Sequence, residues 1–328
     1  MVSQGRFFTQ CFYRNSRTFQ FIVMITQTLV EVSGQVKRVT KMRKLVLSIF
    51  KKARKPLTGK GLGRLPLVNR LNWFLYQHLK PKGYTLVEVQ GNKMYVDAGD
   101  TGVAPALLMG DTYEKCEVNL FKKLVSREMV VVDIGANFGY YTLIAANLVG
   151  DKGKVFAFEP EPENYALLVR NIEVNGYKNI IPVQKAISNK TGTTNLFLFE
   201  KNKGQHTIYE PRSYWKSIVV ESITLDDYFS EQQDSVDVIK MDIEGAEILA
   251  LLGMDRIIKQ APNLKIFTEF VPTKLRAGGS SAEEFLNKVT EYGFKLHLIN
   301  ERKQLIEPID IDRLMQRRES KMNLFLER

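Results

Sequence analysis

VVVDIGANFG, at residues 130–139, is the stretch that decides the fold. The β-branched run 130–132 predicts a buried strand, and the apolar residues after Gly139 predict a helix over Tyr140–Val149. Gly135 lets the chain reverse where a side chain would clash, and Gly139 lets the helix begin close to a ligand. Ligands of open α/β sheets lie beyond the carboxyl ends of the strands, so Asp133 and this turn are predicted to face a cofactor.

The glycine spacing in the turn helps to separate two classes of cofactor. Dinucleotide sites use G-x-G-x-x-G, whose extra glycine brings the backbone up to a pyrophosphate, and this chain lacks the third glycine. S-adenosylmethionine has no phosphate, and its cationic groups suit a turn that carries Asp133. A second predicted strand, Lys154–Phe158, ends at Glu159, where a carboxylate can accept hydrogen bonds from ribose hydroxyls. The alternative is a strand, turn and helix of another α/β fold, with acids that face solvent.

A third group of ionisable residues lies at the carboxyl end of the predicted strand that begins at Val236. Lys240, Asp242 and Glu244 recur at every second residue, so strand geometry would place all three on one face. Charged groups that converge at a strand tip beside a crevice are costly unless they pair or act, which is typical of an active site. The alternative is a lysine–acid network that only ties the strand to the next helix.

These patterns together resemble the FkbM-type S-adenosylmethionine-dependent methyltransferases, from about Pro66 to the C-terminus. The resemblance implies a class I methyltransferase fold, S-adenosylmethionine as cofactor, and O-methylation of a hydroxyl on a sugar, glycolipid or secondary metabolite. It rests on Tyr113-Glu114, residues 132–141, Phe158-Glu159-Pro160, Asn171 with Asn175, Thr224-Leu225-Asp226, and residues 240–247 (KMDIEGAE). The predicted cofactor residues are Asp133, Gly135, Ala136, Asn137, Gly139, Tyr140, Glu159 and Pro160.

Four residues are candidates for the group that positions or deprotonates an acceptor hydroxyl. Asp242 and Glu244 follow the strand, Lys240 could serve if burial lowered its pKa, and His206 lies in a loop that could close over the crevice. A loop histidine is more often only solvated. Asp242, Glu244 and Glu269 would also offer oxygen ligands suited to Mg²⁺, but spacing fixes no ligand set, so no metal is assigned.

Nearly continuous apolar runs in the predicted strands that begin at Val130, Val236 and Leu264 indicate a sheet covered by helices on both faces. We therefore predict an α/β fold with a doubly wound, mostly parallel sheet, which the family resemblance makes seven-stranded with one antiparallel edge strand. The other predicted elements are the hairpin Thr85–Gln90 and Lys93–Ala98, helix Glu163–Asn175 closed by Gly176, strands Ile180–Ile187, Leu196–Glu200, Ser217–Ile223 and Leu264–Val271, helix Ala282–Tyr292, and edge strands Phe294–Ile299 and Met322–Glu327.

Charge divides the chain of 328 residues into unlike parts. Met1–Gly83 carries 17 Lys or Arg and the single acid Glu31, a charge of +16 that leaves −5 for the remainder of the net +11. The predicted organisation is a basic extension at 1–65, a helix and hairpin at 66–115, and a catalytic domain at 116–328. Phe19–Val32 is too short and polar to span a bilayer, whereas Leu45–Lys55 is typical of an interfacial segment. Residues 1–60 are thus expected to meet an anionic membrane surface.

Two alternatives concern the same basic arm. It can be a solvated or disordered leader, with the true start at Met42, or it can serve a nucleic-acid methyltransferase or RNA-binding protein. Amino-methylating enzymes of nucleic acids usually carry an Asn/Asp-Pro-Pro-aromatic tip on the fourth strand, and residues 242–245 read DIEG, so nucleic acid is not favoured. The two cysteines have no metal or disulfide spacing, which favours a protein of the reducing cytoplasm. The basic arm would place it peripherally at the inner membrane surface.

Overall fold

The computed structural model describes residues 76, 80–110, 112–199, 202, 204–210, 216–232, 234–316 and 321–328. The chain divides into the units Met1–Pro81 and Lys82–Arg328. The predicted basic extension and its two apolar segments lie outside the described residues. The predicted domain boundaries at 65 and 115 stay predictions.

The elements of Lys82–Arg328 alternate between strands and helices. The strands are β1 Tyr84–Val89, β2 Asn92–Asp97, β3 Val130–Ile134, β4 Lys154–Phe158, β5 Ile180–Val183, β6 Ala186–Ile187, β7 Gly192–Leu198, β8 Lys216–Ile223, β9 Val238–Met241, β10 Lys265–Phe270, β11 Lys295–Asn300, β12 Leu305–Pro308 and β13 Met322–Glu327. The helices are α1 Ala104–Met109, α2 Lys115–Leu124, α3 Tyr140–Val149, α4 Pro162–Asn175, α5 Leu225–Tyr228, α6 Glu247–Leu252, α7 Asp255–Gln260, α8 Pro272–Ala277, α9 Ala282–Glu291 and α10 Ile311–Met315.

The central sheet has the strand order β12-β11-β13-β10-β9-β3-β4-β5. Strands β10, β9, β3, β4 and β5 pair in parallel, and β13 runs antiparallel between β10 and β11. The predicted fold class is confirmed. The sheet has eight strands rather than the predicted seven, because β12 adds an edge to β11 through a short hairpin that the sequence analysis did not predict.

Both faces of the sheet are buried, which explains the continuous apolar runs. On one face Val132 and Ile239 join a core that includes α6, α7 and α9, and on the other Phe121 of α2 meets Phe267 of β10 with ring centroids 5.3 Å apart. All five residues of β3 are buried. Strand β3 is therefore fixed from both sides, and its carboxyl end can hold the turn at Gly135 in one place.

The predicted strand Ile180–Ile187 is wrong in its extent. Its first half, β5, pairs with β4, whereas β6 pairs with β8 in a separate three-stranded sheet of order β6-β8-β7. The chain leaves the central sheet after Val183, where Lys185 N donates to Val183 O at 3.0 Å. The polar pair Gln184-Lys185 separates the two strands, and the prediction wrongly continued one strand across it.

Helix α4 supports the hairpin through two asparagines. Asn171 is fully buried; its Oδ1 accepts from Tyr95 N at 2.7 Å, and its Nδ2 donates to Tyr95 O at 3.0 Å and to Phe138 O at 2.8 Å. Asn175 makes the same pair of bonds with Lys93, nearer the surface. The asparagines thus replace a neighbouring strand for the edge of β2, and they tie it to the turn after β3.

Replacing Asn171 by alanine should lower the free energy of unfolding by about 2 kcal/mol, because it leaves buried backbone groups without partners. The matched control is Asn175→Ala, which should cost about 1 kcal/mol or less, since water can reach the groups it exposes. Urea unfolding followed by circular dichroism measures both. Equal losses in the two variants would contradict the account of the buried network.

In the part of the chain that the structure describes, no helix is long and apolar enough to cross a membrane.

Candidate active site

The turn after β3 is shaped by contact with the turn after β9. Gly135 has φ +79°, and a Cβ placed on it would lie 2.1 Å from the carbonyl oxygen of Asp242. Gly139 has φ +96°, and its Cβ would lie 2.7 Å from Leu168 Cδ1 of α4. A fixed backbone neighbour requires glycine at Gly135, whereas at Gly139 the Leu168 methyl can move and the left-handed φ is what favours glycine. Gly139 packs against α4 rather than lining the cleft, which differs from the predicted role beside a ligand.

The cleft lies beyond the carboxyl ends of β3, β4 and β9, as predicted. It collects residues from the turn after β3, the start of α2, the segment 202–208, the tip of β9, and the starts of α8 and β13. Of the predicted cofactor residues, those that line it are Asp133, Gly135, Ala136, Asn137, Tyr140, Glu159 and Pro160, and all four predicted catalytic residues line it too: Lys240, Asp242, Glu244 and His206.

Glu159 is buried at the tip of β4 with both oxygens oriented. Oε2 accepts from Asn137 N at 2.7 Å and Oε1 accepts from Glu161 N at 2.9 Å. Burial raises the pKa of Glu159 to about 7, against these two bonds, which favour the ionised form. Each carboxylate oxygen has a second lone pair, so Glu159 can still accept from a pair of hydroxyls in the cleft.

Asn137 supplies the polar end of the turn. It has φ +51° in the left-handed region, which asparagine tolerates, and this conformation turns its N–H towards Glu159. Its Oδ1 is buried and accepts no hydrogen bond from the described residues. A buried acceptor without a partner costs free energy, so a ligand donor in the cleft would stabilise it.

Asp133 lies near the carboxyl end of β3 and has a hydrogen-bond partner of its own. Its Oδ2 accepts from Thr142 Oγ1 at 2.5 Å, and burial raises its pKa to about 6. The carboxyl is nearly inaccessible to water. Asp133 therefore orients the turn from below, while Glu159 and Asn137 present the groups that a cofactor can reach.

Lys240 is held beneath the cleft by a buried ion pair. Its Nζ lies 2.9 Å from Glu117 Oε1 and 4.9 Å from the centre of the Tyr141 ring. Desolvation would lower the pKa of Lys240, but the neighbouring carboxylates of Glu117, Glu114 and Asp242 outweigh it and hold the pKa above its ordinary value. Lys240 stays protonated, so the predicted role as a base with a lowered pKa is wrong.

The period-two prediction also fails beyond Met241. Strand β9 ends there, and Glu244 lies in a turn with φ +57°, so the residues do not share a face by strand geometry. The turn nevertheless brings Asp242 and Glu244 to the same cleft. Burial disfavours the ionised form of Asp242, yet Lys240, Lys321 and Lys274 outweigh it and lower the pKa, so Asp242 is a carboxylate at neutral pH.

His206 reaches the cleft from the connection between β7 and β8. The Phe199 N–H donates to His206 Nδ1 at 3.1 Å, which places the proton of a neutral imidazole on Nε2. In this tautomer Nε2 is a donor. His206 therefore suits a hydrogen bond to an acceptor oxygen better than it suits proton removal, and its predicted role as the base is not favoured.

Sequence reasoning did not single out Lys274 or Lys321, which also line the cleft. Lys274 lies in α8, just after β10, and pairs with Glu244 and Glu269. Lys321 immediately precedes β13, whose antiparallel direction brings its amino end to the edge where the parallel strands end. Lys274 could have been found because it closely follows the end of a predicted strand. Nothing in the local sequence indicates that Lys321 reaches the cleft.

Comparison with known proteins places this geometry in a family. The model of the methyltransferase FkbM domain matches residues 133–296, and that of protein-L-isoaspartate(D-aspartate) O-methyltransferase matches residues 77–188. Among curated proteins, methyltransferase sdnD of Sordaria araneosa is 30% identical over 156 residues, covering 38% of this chain and 60% of that protein. Hexuronic acid methyltransferase AglP of Haloferax volcanii is 26% identical over 170 residues, covering 50% and 63%.

The chain thus spans about three fifths of the length of these relatives. Among solved structures, the methyltransferase FkbM of Methylobacillus flagellatus KT is 20% identical with a TM-score of 0.36, covering 61% of this chain and 43% of that one. The predicted family and the predicted cofactor, S-adenosylmethionine, are both confirmed. The FkbM domain covers half of the sequence, from the acid of the cofactor turn to β11, and the chain therefore belongs to the FkbM family of S-adenosylmethionine-dependent methyltransferases.

Proposed function

We propose that the protein transfers a methyl group from S-adenosylmethionine to a hydroxyl of a sugar, glycolipid or secondary metabolite. The observation that carries the proposal is that Glu159 and Asp242 line one cleft. In this proposal Glu159 binds the cofactor and Asp242 binds the acceptor. The relative named hexuronic acid methyltransferase supports an acceptor built on a sugar.

The cofactor side fits S-adenosylmethionine by its donors and acceptors. Glu159 can accept from the two ribose hydroxyls, and the unpartnered Oδ1 of Asn137 can accept from a ligand amine. Bound S-adenosylmethionine supplies a methyl group that its sulfonium already activates. The turn needs no third glycine, because no pyrophosphate has to approach the backbone.

On the acceptor side Asp242 is the group that takes up the hydroxyl proton. Its lowered pKa makes it a weak base, so it holds the hydroxyl as a hydrogen-bond acceptor. The proton moves late, once the oxygen has begun to form its new bond and has become more acidic. Glu244 holds Lys274 beside the cleft, and the Nε2 donor of His206 can bind a neighbouring oxygen of the acceptor, which makes the positioning of the hydroxyl the main contribution of the protein.

The ionisation of Glu159 predicts a pH dependence of cofactor binding. Its pKa near 7 means that the carboxyl is half protonated at neutral pH, and only the carboxylate accepts from both ribose hydroxyls. Affinity for S-adenosylhomocysteine should therefore rise about tenfold between pH 6 and pH 8, with release of a proton. Calorimetry in two buffers measures both effects. Glu159→Gln is the control, since it should flatten the profile, and a flat profile in the wild type would contradict this role.

The acceptor is identified by labelling. Cell extracts separated into glycans, glycolipids and small metabolites are incubated with the protein and methyl-labelled S-adenosylmethionine, and mass spectrometry locates the label. The proposal expects an ether methyl on a sugar or metabolite hydroxyl that is missing with Asp242→Asn. Label in nucleic acid would instead support the alternative that the basic arm suggested. A methyl ester would instead show that the acceptor is a carboxyl group and not a hydroxyl.

We also propose that residues 1–60 bring the enzyme to an anionic membrane surface, which their charge supports. Co-sedimentation with liposomes should require acidic lipid and should weaken with added salt, because each basic residue near the surface contributes about 1 kcal/mol. A fragment starting at Gly61 should lose this binding while keeping its affinity for the cofactor. Sedimentation of the fragment as strong as that of the full chain would contradict the proposal.

A further inference from the structure

Three carboxylates meet on the acceptor side of the cleft in an arrangement of the kind that holds divalent cations. One oxygen each of Asp242, Glu244 and Glu269 lies within 4.8 Å of the others, and Glu244 and Glu269 are buried. Oxygen ligands at such spacing suit Mg²⁺ or Mn²⁺. Three like charges so close together are costly unless positive charge lies among them.

Two lysines supply that charge. Lys274 Nζ lies 3.2 Å from Glu269 Oε2 and also contacts Glu244, and Lys321 Nζ contacts Glu269 and lies 3.8 Å from Glu114 Oε1. Both side chains line the cleft, and neither is fully buried. Lys240 also lines the cleft, but its side chain is almost inaccessible to water and its ammonium group is engaged by Glu117.

We propose that Lys274 and Lys321 fill the position that a divalent cation would take in the Asp242–Glu244–Glu269 cluster, and that the ammonium group of Lys321 contacts the acceptor oxygen. This inference rests on the proposed function. Two ammonium groups carry the same total charge as Mg²⁺, but at two points with rotatable donors. Lys321 donates to one lone pair of the hydroxyl oxygen, the other lone pair takes the methyl group as its bond to sulfur breaks and S-adenosylhomocysteine leaves, and the hydroxyl proton passes to the Asp242 carboxylate.

The fold explains why these two lysines meet. Strand β10 carries Glu269 and is followed at once by α8, whose third residue is Lys274. Gly245 allows α8 to approach, because a Cβ there would lie 2.7 Å from Lys274 O. Strand β13 pairs antiparallel with β10, with Glu269 opposite Asn323, so Lys321 starts at the same edge. The strand order of the sheet therefore brings both lysines to the acidic cluster, with Lys274 largely buried and Lys321 about half exposed.

Binding of Mn²⁺, followed by electron paramagnetic resonance of the free ion, tests the inference without any methyl transfer. Wild type and the control Lys259→Met, which removes a lysine paired at the surface, should bind Mn²⁺ equally weakly. The double variant Lys274→Met, Lys321→Met should bind it at least about tenfold more tightly, because the acids then lack their cations. Adding Asp242→Asn should remove the gain. Circular dichroism checks that each variant is folded.

Two results would overturn the inference. One is Mn²⁺ binding by the wild type as tight as by the double variant and sensitive to Asp242→Asn. The other is no gain in a folded double variant, or in the single variant Lys321→Met if the double variant does not fold. Turnover gives a second readout: Lys321→Met should lower kcat at least about tenfold, Lys321→Arg should restore most of it, and EDTA should leave wild-type kcat unchanged. If the variants bind Mn²⁺ as expected but the wild type transfers no methyl group, the proposed function is rejected while the placement of the two lysines in the cluster stands.

Discussion

Replacing Asp242 by asparagine should lower kcat by about 100-fold or more while the affinity for the cofactor changes little. The amide keeps the size of the side chain but cannot take a proton, and it lacks the charge that three lysines balance. Its backbone carbonyl still packs against Gly135, so the cofactor turn should stay in place. Steady-state kinetics with saturating cofactor, together with a thermal melt, separates the loss of turnover from a loss of fold.

Two further variants separate a loss of turnover from a loss of acceptor binding. Glu244→Gln should lower kcat by a similar factor, whereas His206→Ala should raise the KM for the acceptor more than it lowers kcat, because His206 presents a donor. The matched control is Asp255→Asn, which removes a paired carboxylate on α7, outside the cleft. Near-normal turnover in both acidic variants of the cleft would reject this assignment, leaving Asp242 and Glu244 as ties between strand and helix.

A single added methyl group at Gly135 should have the largest effect on stability. Its Cβ would lie 2.1 Å from the Asp242 carbonyl oxygen, and hydrogen bonds to Phe158 O and Ile134 O fix the backbone of Gly135 and Asp242. Gly135→Ala should therefore lower the free energy of unfolding by about 3 kcal/mol or more and should abolish detectable cofactor binding. Urea unfolding and calorimetry measure the two effects.

Gly176→Ala is the matched control for this variant. Gly176 closes α4 with φ +73°, close to that of Gly135, but a Cβ there would meet no atom within 4 Å. It should lose only about 1 kcal/mol, the cost of a left-handed alanine. Similar losses at the two glycines would show that backbone strain alone decides the outcome and that the contact with Asp242 does not.

Local sequence patterns predicted the parts of the fold that local physics controls. Helix Tyr140–Val149 and strands Lys154–Phe158 and Met322–Glu327 begin and end as predicted, because apolar runs, glycines and strand tips are adjacent in the chain. The positions of Glu159 and Asp242 beside the turn followed from the rule that strand ends meet at one edge. Where the chain crosses between sheets, after Val183, the polar pair Gln184-Lys185 interrupts the apolar run, but it does not show that the next strand joins a different sheet.

The electrostatics of the site could not be predicted in the same way. The state of Lys240 depends on Glu117, which lies more than a hundred residues earlier, and that of Asp242 depends on Lys274 and Lys321 from two other elements. The role of His206 depends on the direction of the Phe199 N–H. Spacing along one strand carries none of this information, because each pair forms only when the sheet is assembled.

Calorimetric titration with S-adenosylhomocysteine tests the central claim, that Glu159 and the Gly135 turn form an S-adenosylmethionine site. Wild type should bind S-adenosylhomocysteine and not NAD, and Glu159→Ala should weaken the binding by about 1–3 kcal/mol through the lost ribose contacts. The control Glu163→Ala, an exposed residue in the first turn of α4, should bind as wild type does. Equal affinity in wild type and Glu159→Ala, or binding of NAD in preference, would contradict the account.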